Sequence, residues 1–155
     1  MLYDFELAGR RVRLWQRTGE TYNHVLMKAL GFAMFVEEFP QLSIERGVGM
    51  RYKPDLVAES EHESGYRFAF WGECGLVSMR KVAWLVKHGQ VARLALFKID
   101  CGVAPLINEL RAAVEPRYRL GGRIELINFA ANIAELAASR RVERVPREWY
   151  TRTSV

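Results

Sequence analysis

Lys53-Pro54-Asp55-Leu56-Val57-Ala58 begins the stretch that decides the fold, and Tyr66-Arg67-Phe68-Ala69-Phe70-Trp71-Gly72-Glu73-Cys74-Gly75 completes it, with Ser78-Met79-Arg80-Lys81 just beyond. Two short apolar runs flank a turn-rich gap at His62, Glu63, Ser64 and Gly65, the pattern of a β-hairpin. Asp55 opens the first run and Glu73 ends the second, so a hairpin brings both acids to one end. With Asp55 opposite Trp71, Glu73 is a diagonal neighbour on the same face. Two carboxylates at the end of buried strands repel each other unless a cation or a proton intervenes. Hard oxygen ligands of this kind suit Mg²⁺ or Mn²⁺. A register slip of one residue sends Glu73 to the other face.

The 155 residues suffice for a single domain, 1–155, with a hydrophobic core. A chain 50% hydrophobic and 26% charged reads as an ordinary globular protein. No apolar run is long enough to span a bilayer, and no signal peptide is expected, since Met1-Leu2-Tyr3-Asp4 is acidic where a signal is basic. No membrane partner is therefore expected. Cys74 and Cys101 form no spacing pattern and read as reduced thiols of a cytoplasmic protein. His24, His62 and His88 lack zinc spacing. The net charge of +5 permits a polyanionic partner, DNA or RNA, without requiring one.

Upstream, Tyr3 to Ala8 and Arg10 to Gln16 alternate as a hairpin turning at Gly9. Arg11 and Arg13 share a face that meets solvent or a phosphate backbone. Thr18 reads as the N-cap of a helix, with Glu20 in its first turn complementing the dipole. Tyr22, Val25, Leu26, Ala29, Ala33 and Val36 follow at helical spacing, and Leu30, Phe32 and Met34 widen the stripe, so burial on more than one side is expected. Gln41 to Glu45 is a short strand. Phe68 to Trp71 is apolar on both faces, as in a central strand.

Downstream, Ser78 caps a helix ending at Gly89, with Lys81 on its first turn. Val91 to Phe97 is a strand, Pro105 starts a helix, and Arg123 to Ile127 is a strand. Residues 130–140 read either as a helix or as a turn followed by a strand from Ile133 to Ala137. The tail from Val142 to Tyr150 alternates, with Pro146 marking an edge. Helices alternating with strands around a mixed sheet make an α/β (α+β) domain.

The order helix, three strands, helix, strand, with Pro54-Asp55 on the second strand and Glu73 ending the third, resembles the PD-(D/E)XK nuclease superfamily. Within it the chain is most similar to the YaeQ family of small bacterial proteins. Gly19-Glu20-Thr21 at the first helix, Glu73-Cys74-Gly75 and the basic pair Arg80-Lys81 carry the resemblance, together with the N-terminal hairpin and β-rich tail. It implies a restriction-endonuclease-like core, αβββαβ, and a metal-dependent phosphodiesterase. By resemblance Asp55 and Glu73 bind Mg²⁺ or Mn²⁺, with the Cys74 carbonyl as a further ligand, and Glu20 matches an acid on the first helix. The acid-any-lysine pattern needs a lysine at position 75, where this chain has Gly75. Lys81 is placed to supply it, and Arg80 competes.

Bland alternatives stand beside each role: turn chemistry for Asp55, dipole complementation for Glu20, helix approach for Glu73, a solvated first turn for Lys81, and a small buried hydrophobe for Cys74. Trp71, Trp84 and Trp149 offer faces for bases, or, for the first two, core packing. Three functions follow: a metal-dependent nuclease using Glu20, Asp55, Glu73 and Lys81; a nucleic-acid-binding module with a decayed site; or a regulatory interaction protein. Fold resemblance alone decides none of them.

Overall fold

A computed structural model describes residues 1–61 and 65–155, so the turn expected at 62–64 lies outside the described residues. The chain begins with a hairpin, β1 (Leu2–Leu7) and β2 (Arg10–Trp15), paired in register from Leu2 opposite Trp15 to Leu7 opposite Arg10. Its two-residue turn, Ala8-Gly9, has φ of +50° and +75°. Positive φ at both positions matches the right-handed twist of the strands, and glycine accepts it readily.

Next come α1 (Tyr22–Phe35), β3 (Ser43–Ile44), β4 (Leu56–Glu59), β5 (Phe68–Cys74), α2 (Met79–His88), β6 (Leu94–Ile99), α3 (Val103–Ala113) and β7 (Ile124–Phe129). The main sheet has six strands in the order β3-β4-β5-β6-β7, then the C-terminal β9 (Tyr150–Ser154). β5, β6 and β7 run parallel, while β4 and β9 are antiparallel to their neighbours. The mixed α/β architecture is the one expected, with β5 central and buried at every position except Ala69.

Alternation along the strands builds two cores. Leu56, Phe70, Ala95, Phe97 and Ile127 pack with α1. Val57, Trp71, Leu94, Leu96 and Leu126 pack with α2 and α3 on the other face. Among the described residues no helix is long and apolar enough to cross a membrane.

Three expectations need correction. The helix begins later than Thr18, because Gly19 takes φ +85° and interrupts the chain; Thr21 is the N-cap, its Oγ accepting His24 N–H at 3.2 Å. Glu20 therefore precedes the helix instead of lying in its first turn. The hairpin register sets Val57, not Asp55, opposite Trp71, a two-residue difference that preserves parity and continues toward Asp55 opposite Glu73. The tail holds a short helix α4 (Ile133–Leu136) and a two-residue strand β8 (Arg141–Val142) parallel to β1, not a strand at 133–137.

α1 lies close on the sheet at Gly31, where an added Cβ would come within 2.7 Å of Leu56 Cδ1 and 2.9 Å of Phe97 Cζ. Both neighbours are fully buried, so neither yields freely. Gly31→Val is expected to destabilise the protein by about 1–3 kcal/mol. Urea unfolding should show a lowered midpoint at unchanged slope; an unaltered midpoint would contradict this close approach.

Candidate functional site

Glu20 is held by a turn before α1. Its N–H donates to Arg17 O at 3.0 Å, and its Oε2 accepts Arg17 N–H at 3.0 Å. Its Oε1 faces α1, where it meets His24 Nδ1 at 2.5 Å and the Lys28 ammonium. Positions 20, 24 and 28 are spaced by four, so once the helix winds they project along one side. Lys28 is fully buried and also pairs with Glu45 Oε1 at 2.6 Å. Glu45 is fixed in turn by a backbone bond, its N–H donating to Asp55 O at 2.8 Å.

Asp55 lies at the entry to β4. Its Oδ2 accepts Cys74 N–H at 2.8 Å and faces His24 Nε2 at 3.7 Å. The same Nε2 is 3.1 Å from the Cys74 carbonyl. Acceptors at both ring nitrogens favour the doubly protonated imidazolium. The Asp55 carboxylate, 3.7 Å away, outweighs burial, Glu20 adds to it, and together they raise His24 to about 9. Burial pushes Glu20 upward, but Lys28, the Arg17 N–H and His24 overcome it and hold the carboxyl at about 2. Burial likewise opposes the charged forms of Asp55 and Lys28. His24 and the Cys74 N–H keep Asp55 below its ordinary value, while Glu20 and Glu45 keep Lys28 above its own.

Glu73 points toward α2. Its Oε1 accepts the Trp71 indole N–H at 2.9 Å and pairs with Lys81 Nζ at 2.6 Å. Burial drives its carboxyl up, and although Lys81 and Trp71 pull the other way, the net shift is upward. The charge of Asp55 adds to the rise, so the two acids sense each other electrostatically. Of the two candidate cations, Lys81 reaches Glu73, while Arg80 is exposed. The Cys74 thiol is buried and pushed well above its ordinary range.

A concavity of about 670 Å³ opens on the α1 side, bounded by Arg17, Glu20, His24, Glu45, Cys74 and Leu76. Asp55 meets the edge of His24, and Glu73 with Lys81 belongs to the α2 side of β5. The expected single cleft is thus two half-sites joined at the sheet end: Glu20, His24, Lys28, Glu45 and Asp55 in one, Glu73 and Lys81 in the other. Four carboxylates meet His24, Lys28 and Lys81 across them, and Arg17 reaches Glu45 from the rim at 3.9 Å. Gly75 turns the chain between them at φ +79°.

His24, Lys28 and Glu45 were not among the residues the sequence singled out. For Lys28 a signal existed, because a lone lysine inside the apolar run from Val25 to Ala33 must find a partner. Glu45 gave none, since its position depends on a loop contact with Asp55.

As a metal site, Asp55 Oδ1 and Glu73 Oε2 take no hydrogen bond from described residues and offer hard oxygens. Oxygens of this kind are what Mg²⁺ or Mn²⁺ takes as ligands, whereas the Cys74 carbonyl already accepts from His24. Among the described residues no group of three or more His, Cys, Asp or Glu is arranged to hold a metal.

Two tests follow from the charges. Because the folded His24 pKa, about 9, lies above its ordinary 6.5, the stability it adds is complete below pH 6.5 and is lost as pH rises through 9. Its imidazole should titrate near pH 9 by NMR, and His24→Gln should flatten the decline in stability over that window; a midpoint near 6.5 would refute the double acceptor. Lys28→Met leaves Glu20 and Glu45 facing each other without a cation, and is expected to cost on the order of 3 kcal/mol in chemical denaturation.

No protein-family model matches the sequence, and no curated protein matches it. Solved structures do. The YaeQ protein of Xanthomonas axonopodis pv. citri aligns with a TM-score of 0.63 at 18% identity, covering 90% of this chain and 81% of its own. The YaeQ protein of Pseudomonas syringae aligns at 0.61 and 19% identity, covering 94% and 78%. At these identities the likeness concerns architecture, and the chain has the fold of the YaeQ proteins.

Proposed function

We propose that this chain is a YaeQ-like member of the PD-(D/E)XK superfamily, acting on nucleic acid as a Mg²⁺- or Mn²⁺-dependent phosphodiesterase. The observation that carries the reading is the Lys81–Glu73 pair at 2.6 Å, beside Asp55 at the open end of the sheet. It supplies from α2 the cation that Gly75 cannot.

A divalent ion bound by Asp55 and Glu73 would polarise the phosphodiester and lower the pKa of its water. Lys81 would offset the negative charge that develops on phosphate in the transition state. Glu20, through His24, holds the end of β5 and acts as a positioning residue.

One observation favours a second reading, nucleic-acid binding without cleavage. The His24 imidazolium already lies against both Asp55 and the Cys74 carbonyl. A protein cation there reduces the need for a metal.

Titration of Mn²⁺ into the protein, with plasmid and single-stranded oligonucleotide cleavage assayed beside Asp55→Ala, separates the two. The phosphodiesterase reading expects metal-dependent cleavage that Asp55→Ala lowers at least about 100-fold. The same variant should retain or tighten DNA binding in EDTA, because it removes a repulsive charge. Salt-sensitive binding with no cleavage by wild type supports the second reading. Absence of both removes nucleic acid from the function.

A further inference from the structure

On the α2 side of Glu73 the loop between β3 and β4 carries Arg51, Tyr52 and Lys53 across the face of α2. Val48 anchors this loop in the second core, and its carbonyl accepts Arg67 Nη2 at 2.7 Å. Tyr52 packs edge-to-face on Trp84 of α2, centroids 5.4 Å apart at 75°. His88 follows one turn along, 6.4 Å from Trp84. Trp71 is fully buried, whereas Tyr52 and Trp84 pack against the second core and are only half-buried.

These rings adjoin the candidate active site. Lys81 Nζ lies 5.1 Å from the Tyr52 centroid while it pairs with Glu73. Arg51 Cζ is 5.5 Å from the same ring. Arg51, Lys53 and Arg80 are exposed, and among the described residues none of them pairs with an acid. Farther along α2 the charge is cancelled, since Lys87 pairs with Glu115. Arg51 thus lies over the Tyr52 ring, and Lys53 and Arg80, its neighbours on the loop and on the first turn of α2, add exposed charge at the end of α2 nearest Glu73.

We infer that Tyr52 and Trp84, flanked by Arg51, Lys53 and Arg80, form a stacking platform that selects single-stranded nucleic acid for the site at Glu73 and Lys81. The inference rests on the nucleic-acid reading above. An aromatic face offers an unstacked base a partner regardless of its identity, and the flanking cations meet the phosphates. In a duplex the base faces are occupied by their neighbours, so these rings would gain nothing from it. Selection is for strandedness and not for sequence.

The test measures anisotropy of a labelled oligothymidylate and of a duplex of equal length, in EDTA, at low and physiological salt. Wild type should prefer the single strand. Tyr52→Leu keeps apolar bulk but loses the ring, and should weaken single-strand binding about tenfold. Tyr52→Phe keeps the ring and should bind as wild type does. Trp84→Leu should weaken binding similarly, with circular dichroism checking its fold; the Tyr52 variants decide the matter if it unfolds. Equal or tighter duplex binding, or an unaffected Tyr52→Leu, overturns the platform while leaving the nucleic-acid reading in place. Failure to bind any nucleic acid overturns both.

Discussion

A lysine buried in the middle of an apolar helix constrains this molecule. Lys28 cannot sit beneath Val25, Leu26 and Ala29 as a bare charge, because desolvating an unpaired ammonium costs several kcal/mol. Glu20 and Glu45 resolve this from two loops, one before α1 and one after β3. The Glu20 loop is drawn onto the start of α1, and Glu45 is drawn to the entry of β4. His24, one turn before Lys28, shares Glu20 and touches Asp55 and the Cys74 carbonyl. The ends of α1, β3, β4 and β5 are thereby tied through five charged residues, and the candidate site inherits its geometry from that tie.

The half-site on α2 is organised differently. Glu73 has one ion-pair partner, Lys81, and an indole donor beside it. The α1 half is compensated internally, each acid facing a fixed cation. The α2 half adjoins the exposed Arg51, Lys53 and Arg80, which pair with no acid among the described residues. Paired charge on one side of β5 thus contrasts with unpaired positive charge on the other.

Much of the fold was legible because it is written in local pattern. The apolar runs at 56–58 and 68–71 gave a buried hairpin, and the run from Val91 to Phe97 gave the next strand, observed from Leu94 to Ile99. Placement of the helix start failed because Thr18 and Thr21 are equally good caps, and only the positive φ of Gly19 decides between them. The tail was illegible for another reason. β8 is two residues pairing with β1, and β9 lies against β7, so both owe their structure to partners far away in sequence. The site divides the same way. Asp55, Glu73 and Lys81 stand out from neighbouring sequence, while Glu45 becomes visible only when a loop folds back on Asp55.

Gly75 carries a consequence for what position 75 can hold. Its φ of +79° belongs to the left-handed region, which costs a side-chain-bearing residue roughly 1–2 kcal/mol. A Cβ there would also come within 3.5 Å of the His24 ring. Any side chain at this position would thus strain the backbone while finding room beside the imidazole, so the conformation of the turn and not the space around it reserves position 75 for glycine. The end of β5 can therefore turn back toward α2 only where the residue after Cys74 tolerates the left-handed region.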